Sequence, residues 1–148
     1  MKWLLDTNVV SEGVRPGADR KLLTWIAARS PEQLALSMVT LAELREGISL
    51  IEDTQKQLTY SRWIDIELIK SFESRLLPVT LEILTDWLSL ARRLERRGAS
   101  RSAPDLLIAS TARVHNLILV SRNVKHFAGT GVVLYDPWSG KTHRMDAS

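Results

Sequence analysis

Three carboxylates in this 148-residue chain stand next to short apolar runs, at points where a protein could use them for chemistry. Asp6 ends the run KWLL, Glu43 follows the run LALSMV, and Asp105 opens the segment that leads into the run LILV. If these runs are neighbouring parallel strands, the three acids lie at one edge of a sheet, where sites form in such folds. Carboxylates held together repel one another by about 1 to 4 kcal/mol per close pair. A divalent cation such as Mg²⁺ or Mn²⁺ removes that repulsion and suits phosphate chemistry.

Each of these acids also has a purely structural interpretation. Asp6 could accept a hydrogen bond from the turn that follows it. Glu43 lies three residues after Thr40, and Asp105 lies three residues after Ser102, which is the spacing of a helix capping box. Residue types and spacing therefore leave helix capping and metal binding open for all three.

The elements that must position these acids follow from hydrophobic periodicity. Short apolar runs predict strands at residues 2–5, 33–39, 75–79, 117–120 and 131–138. Helical spacing predicts helices around residues 22–26 and at 40–51, 54–74, 81–97 and 102–116. Alternating strands and helices predict an α/β fold with a short parallel sheet sandwiched by helices. We expect a single domain over residues 1–148, with strand 75–79 at an edge and a polar, frayed tail from about residue 139.

Two of the predicted helices carry apolar stripes. In the later helix the stripe is expected to pack in the core, and its members are Leu84, Trp87, Leu88, Ala91 and Leu94. In the helix at 54–74, Trp63, Ile66 and Ile69 are expected to be buried in the monomer, although an exposed stripe could support a homodimer.

The composition is that of a folded globular protein without disulfides. Hydrophobic residues make up 45% and charged residues 25% of the chain, and cysteine is absent, which excludes disulfides and thiolate zinc sites. No apolar segment reaches the roughly 20 residues of a membrane span, so we expect a cytoplasmic protein without membrane contact. The net charge of +3 and the pI near 9.5 favour a polyanionic partner only mildly.

A cluster of arginines stands shortly before Asp105. Its members are Arg92, Arg93, Arg96, Arg97 and Arg101. They could form a solvated helix end that Gly98 terminates, because positive charge suits the C-terminal helix dipole. A phosphate-facing role is the second, less favoured interpretation.

Five segments resemble, in order along nearly the whole chain, the PIN-domain family in its VapC-type toxin branch. They are LLDTNVVSE, TLAELREG, APDLLIASTA, LILVSRN and VVLYDPW. The resemblance implies a PIN-like fold and a metal-dependent endoribonuclease, the toxin half of a type II toxin–antitoxin pair that a small antitoxin holds inactive. By position, Asp6, Glu43 and Asp105 correspond to the acids that bind the family's Mg²⁺ or Mn²⁺.

The resemblance also implies residues that support the metal site. Asn8, which could otherwise cap the first helix, corresponds to a residue that orders the site, and Ser121 lies in the matching segment LILVSRN. Many family members carry a fourth acid where this chain has Asn123, so binding of a second ion is open. His126 follows closely, but a lone histidine more often serves as a surface or hydrogen-bonded residue than as a ligand.

The expected reaction is hydrolysis of an RNA phosphodiester, with the cation activating water and no covalent intermediate. Arg122, Arg97 and Arg101 are the expected contacts to RNA phosphates. An alternative is an aspartyl-phosphate phosphatase with Asp6 as nucleophile, although Asn8 stands where such sites usually carry a second Asp. A further alternative is a catalytically inactive PIN-like module that binds RNA or a partner.

Overall fold

A six-stranded sheet organises the chain. The structure is a computed structural model that describes residues 1–146. The strands are β1 (Trp3–Leu5), β2 (Leu34–Ser37), β3 (Leu76–Leu77), β4 (Ile118–Val120), β5 (Val133–Asp136) and β6 (Lys141–Arg144). They lie in the order β3-β2-β1-β4-β5-β6, and all neighbours are parallel except β5 and β6, which are antiparallel. The carboxyl ends of β1 to β5 therefore share one edge of the sheet.

The α-helices lie in the connections from β1 to β2, from β2 to β3 and from β3 to β4. They are α1 (Thr7–Gly13), α2 (Arg20–Ala27), α3 (Met38–Ser49), α4 (Thr54–Arg62), α5 (Ile69–Ser71), α6 (Leu81–Arg96) and α7 (Ala103–Val114). A π-helical segment, Trp63–Leu68, joins α4 directly to α5. None of the helices within residues 1–146 has both the length and the apolar composition needed to cross a lipid bilayer.

Two apolar cores lie on opposite faces of the sheet, and the alternation of β1 shows why the strands are so apolar. Leu4 points into the core that α6 and α7 cover, whereas Trp3 and Leu5 point into the core on the side of α1 and α2. A strand buried on both faces carries no polar face, so its sequence is continuously apolar. The predicted parallel sheet between helical layers is confirmed, including the edge position of β3.

The prediction of a frayed polar tail from about residue 139 was wrong. Residues 141–144 form β6, which pairs with β5 in the register Val133 opposite Arg144 and Asp136 opposite Lys141. A polar strand at a sheet edge needs no apolar face to form backbone hydrogen bonds, which is why hydrophobic periodicity missed it. Residues 147 and 148, which also belong to that tail, lie outside the described part of the chain.

The predicted stripe on α6 is confirmed in part, since Leu94 is buried and Trp87 and Ala91 pack against the core. Leu90 and Leu94 are buried as core residues, together with Ile83, whereas Leu84 is 36% and Leu88 is 55% exposed. Ile83 and Leu90 keep helical spacing with Trp87 and Leu94, so periodicity alone could not fix which edge of the stripe is buried.

The helix predicted at 54–74 is interrupted by the π-helical segment. Trp63 and Ile69 pack partly against the core, whereas Ile66 is 64% exposed, so only part of the predicted stripe is buried. A π turn adds a residue to the helical repeat, and a stripe laid out with α-helical spacing consequently changes face there.

Candidate active site

Asp6 lies where β1 ends and α1 begins. It is the N-cap of α1, and its Oδ1 accepts a hydrogen bond of 2.8 Å from the backbone N–H of Thr7. Its own N–H donates to the carbonyl of Val120, which fixes it to the end of β4. Only 4% of Asp6 is exposed. The acid therefore caps a helix and, at the same time, lies buried at the carboxyl edge of the sheet.

A hydrogen-bond network orients the second oxygen of this carboxylate. Asp6 Oδ2 accepts from Ser121 Oγ at 2.6 Å and from Asn8 Nδ2 at 3.0 Å. Asn8 Nδ2 also contacts Ser121 Oγ at 3.0 Å, and Asn8 Oδ1 accepts from the backbone N–H of Arg122 at 3.2 Å. The backbone N–H of Asn123 donates to Ser121 Oγ at 3.0 Å. Asn8 thus supports Asp6 rather than capping the first helix.

Glu43 is not a capping residue. The N-cap of α3 is Ser37, whose side chain accepts from the backbone N–H of Val39, so the capping box that the spacing allowed at Thr40 does not form. Thr40 lies buried inside the first turn of the helix, and Glu43 lies one turn further along. The half-buried Glu43 accepts instead a hydrogen bond of 2.6 Å from Thr7 Oγ1, on the helix that follows Asp6.

Asp105 lies at the capping-box position of α7, but its carboxylate does not cap the helix. Ser102 is the N-cap of α7, as predicted, and accepts from the backbone N–H of Asp105 at 3.3 Å. Within residues 1–146, no hydrogen bond returns from the N–H of Ser102 to the carboxylate. Asp105 Oδ2 instead lies 3.3 Å from Nδ1 of His126. His126, from the short 3₁₀ helix Val124–Phe127, is therefore a neighbour of the site at ion-pair distance from Asp105.

The three acids share one electrostatic environment. The pKa of Asp6 is raised from 3.8 to about 6, chiefly by burial and to a smaller extent by the negative charges of Asp105 and Glu43, while the hydrogen bonds from Ser121 and Thr7 oppose the rise. The raised pKa thus reports a carboxylate whose ionised form is poorly stabilised, mainly because it is buried.

An oxygen-only donor set with unbalanced negative charge fits a hard divalent cation. Within residues 1–146, no three His, Cys, Asp or Glu side chains are grouped tightly enough to coordinate one ion directly. Mg²⁺ usually keeps several waters and takes only one or two carboxylates from the protein, so the donor set suits this ion without a closed cage.

We expect the metal-free protein to lose stability as the pH rises from about 4 to about 7. The unfolded chain releases the Asp6 proton near pH 3.8 and the folded chain near pH 6, so between these values the folded state binds more protons. The cost at neutral pH is about 3 kcal/mol, because each pKa unit corresponds to about 1.36 kcal/mol.

Urea unfolding in EDTA, at pH 4.5 and pH 7.5, measures this loss as the difference between wild type and Asp6→Asn. Relative to wild type, the free energy of unfolding of Asp6→Asn should be lower at pH 4.5 than at pH 7.5. The same difference at both pH values would show that burial of Asp6 carries no such cost.

The structure also places three other residues that could have belonged to the site, each at the end of an element or in a loop. Arg97 caps the end of α6, where Gly98 has a φ of +66° and terminates the helix as predicted. Arg101 lies in the following loop and donates to the carbonyl of Ser100. Asp136, at the carboxyl end of β5, accepts hydrogen bonds within the turn that follows it, from the backbone N–H groups of residues 138 and 139.

Thr7 is a site residue that the sequence did not single out. Its hydroxyl ties Glu43 to the helix that Asp6 caps, across 36 positions of the chain. The only local signal was its place directly after Asp6 in LLDTN.

Comparison with known proteins agrees with this geometry. The family model described as "PIN domain" matches residues 3–131. The chain is 30% identical to the toxin FitB of Neisseria gonorrhoeae over 91% of its own length and 97% of the relative's. It is also 30% identical to the VapC ribonuclease Y4jK of Sinorhizobium fredii, over 91% and 96%. The crystal structure of FitAcB from Neisseria gonorrhoeae superposes with a TM-score of 0.86 at 29% identity, covering 92% of this chain and 98% of that one.

Proposed function

Because the chain belongs to the PIN-domain family, we propose that it is a divalent-metal-dependent endoribonuclease and the toxin of a toxin–antitoxin pair, active in the cytoplasm. The observation that carries this proposal is the buried Asp6 at the carboxyl edge of the sheet, oriented by Ser121 and followed by Thr7, whose hydroxyl contacts Glu43. Incubation of the purified protein with a panel of RNAs, with and without Mn²⁺, tests it. Metal-dependent cleavage supports the enzyme, whereas an inactive PIN-like module would bind RNA without cutting it.

In the proposed site, Asp6, Glu43 and Asp105 would hold Mg²⁺ or Mn²⁺. The bound ion would supply a polarised phosphate and a water of lowered pKa. Ser121 and Asn8 hold the Asp6 carboxylate in one orientation through hydrogen bonds, and Thr7 does the same for Glu43. Residues that orient a metal ligand in this way fix the geometry of the ligand, and their loss typically costs 10- to 100-fold in metal affinity or activity.

The geometry gives no support to the aspartyl-phosphate phosphatase. Both oxygens of Asp6 already accept hydrogen bonds, from Thr7 on one side and from Ser121 and Asn8 on the other. Such a site usually carries a second acid two residues after the nucleophile. The residue two positions after Asp6 is an amide that donates to the carboxylate, and an amide cannot serve as a second acid.

We propose that a small antitoxin neutralises the site by covering it. An open cleft of about 290 Å³ adjoins Thr7 and Glu43 and offers an apolar surface to such a partner. The apolar side chains along it are Val14, Leu44, Ile48, Ile51, Tyr60 and Trp63. A basic side chain of the antitoxin could pair with the acids and replace the cation electrostatically.

Expression of the wild-type chain alone is expected to slow bacterial growth, and co-expression of its antitoxin should restore it. The reason is that uncontrolled RNA cleavage stops protein synthesis, whereas a covered site cannot bind substrate. Growth curves with an inducible promoter measure the effect, with Asp6→Asn as the inactive comparison. Normal growth in the presence of abundant, folded, metal-loaded wild-type protein would contradict the toxin assignment.

Asn123→Asp is expected to lower the Mg²⁺ concentration for half-maximal activity about threefold to tenfold, since a carboxylate adds Coulomb attraction for a dication. Asn123 is exposed, and its backbone is tied to Ser121 at the rim of the network. The added charge should also destabilise the metal-free protein, so Mg²⁺ should raise its melting temperature further than it raises that of wild type.

A Mg²⁺ titration, followed by cleavage rate and thermal melting, tests both effects of Asn123→Asp. If neither the Mg²⁺ concentration for half-maximal activity nor the melting temperature differs from wild type, residue 123 does not face the ion.

A further inference from the structure

Beside the acids, the same edge of the sheet carries an arginine stacked on a tryptophan. The Cζ atom of Arg122 lies over the indole of Trp138, 5.3 Å from the ring centroid. Arg122 follows the end of β4, and Trp138 lies in the turn after β5. These strands are parallel neighbours, and β4 is also the neighbour of β1, which ends at Asp6. The stacked pair and the acids therefore face the same side of the molecule.

Backbone hydrogen bonds fix both residues of the stack. The backbone N–H of Arg122 donates to Asn8 Oδ1, and Asn8 in turn donates to Asp6, so the arginine is anchored in the network that orients the acid. The backbone N–H of Trp138 donates to Asp136 Oδ1 at 2.9 Å, and its half-buried indole packs against the core. The position of the guanidinium relative to the acids is thus set by two fixed points.

The charge of Arg122 has no counterion in the described structure. Arg122 is exposed, and no carboxylate within residues 1–146 forms an ion pair with it. A guanidinium that rests on an aromatic face keeps its N–H donors free at its rim, and such donors match the oxygens of a phosphate.

We propose that Arg122 and Trp138 form a phosphate subsite for single-stranded RNA, next to the phosphate that the acids would bind. This inference rests on the proposed function. Arg122 contacts the RNA, and Trp138 is a positioning residue that acts through Arg122. A fixed cation beside the acids sets the register of the RNA backbone without reading its sequence.

A double-mutant cycle in RNA binding tests the subsite. Binding of a short fluorescent single-stranded RNA is measured in EDTA, where no cleavage occurs, at several salt concentrations. Arg122→Ala should weaken binding and reduce the slope of log K against log salt by about 0.7, the value for one phosphate contact on a single strand. Trp138→Ala should change the slope in the same direction, and the double variant should bind no more weakly than Arg122→Ala alone, within twofold.

Two further variants separate positioning from folding. Trp138→Phe keeps an aromatic face and should restore most of the slope, whereas Trp138→Leu fills the space without one and should behave like Trp138→Ala. Lys125→Ala removes a neighbouring exposed cation that is not stacked on the indole. The loss of RNA affinity that it causes should therefore add to the loss caused by Trp138→Ala. Thermal melting of every variant shows that each is folded.

Additive effects of the Arg122 and Trp138 substitutions would overturn the subsite, as would wild-type binding by Trp138→Leu. Weaker binding of Trp138→Ala at an unchanged salt slope would overturn it too, because the indole would then touch RNA directly. Cleavage of the same RNA by wild type with Mn²⁺ is scored separately. Cleavage without coupling between the two residues refutes the subsite alone, and coupling without cleavage refutes the enzyme alone.

Discussion

Asp6→Asn is expected to lower metal-dependent RNA cleavage by about 100-fold or more, since even residues that merely orient a metal ligand contribute 10- to 100-fold. The asparagine keeps an oxygen that can accept from the backbone N–H of Thr7, so α1 keeps its N-cap. It removes the buried negative charge that a cation would neutralise. Cleavage rates at saturating Mn²⁺, with circular dichroism for the fold, measure the loss.

Asp19→Asn is the matched control for this substitution. Asp19 also caps a helix, accepting from the backbone N–H groups of Lys21 and Leu22 at the start of α2. It plays no part in the network around Asp6. Asp19→Asn should therefore leave cleavage within about twofold of wild type, because surface substitutions away from a site change little. Equal losses in both variants would mean that capping, and not metal binding, explains the effect of Asp6.

Glu43→Gln and Asp105→Asn are expected to lower cleavage by about 10- to 100-fold each, because each removes a charge that helps to hold the same ion. The amide oxygen introduced by Glu43→Gln can still accept from Thr7 Oγ1, and the N–H of residue 105 can still donate to Ser102. The helices that carry the two acids should thus keep their starts and their melting temperatures. The rates at saturating Mn²⁺ and the Mn²⁺ concentration for half-maximal rate are the quantities to compare.

The control for these two variants is Ser102→Ala, which removes the N-cap of α7 but no acid. It should cost about 0.5 to 2 kcal/mol of stability and little activity at a temperature where the protein is folded. Full activity in both acid variants would return Glu43 and Asp105 to structural roles.

Asp6 illustrates how far the sequence could predict this site. Its place at the end of an apolar run predicted both a turn hydrogen bond and a position at the carboxyl edge, and the structure contains both. The parallel sheet was also predictable, because strands buried on both faces leave continuous apolar runs. The position of Asp105 in the first turn of α7 was predictable too, because the spacing from Ser102 indicated that Ser102 caps this helix.

Other features could not be read from local patterns. Ser37 and Thr40 are both good N-caps, and the choice between them depends on where β2 ends, which is a property of the sheet. The contact between Thr7 and Glu43 joins two helices and is visible only in the tertiary structure. Strand β6 carries no apolar alternation, and its pairing with β5 depends on backbone hydrogen bonds that no side-chain pattern records.

Binding of Mn²⁺ to the metal-free protein tests most directly whether these acids form a cation site. Titration of EDTA-treated, desalted protein with Mn²⁺, followed by the electron paramagnetic resonance signal of free Mn²⁺, counts the bound ions. Wild type and Asp19→Asn should remove Mn²⁺ from solution, and Asp6→Asn should remove far less at the same concentration. Equal Mn²⁺ binding by Asp6→Asn and wild type, or no binding by wild type, would contradict the proposed role of Asp6, Glu43 and Asp105.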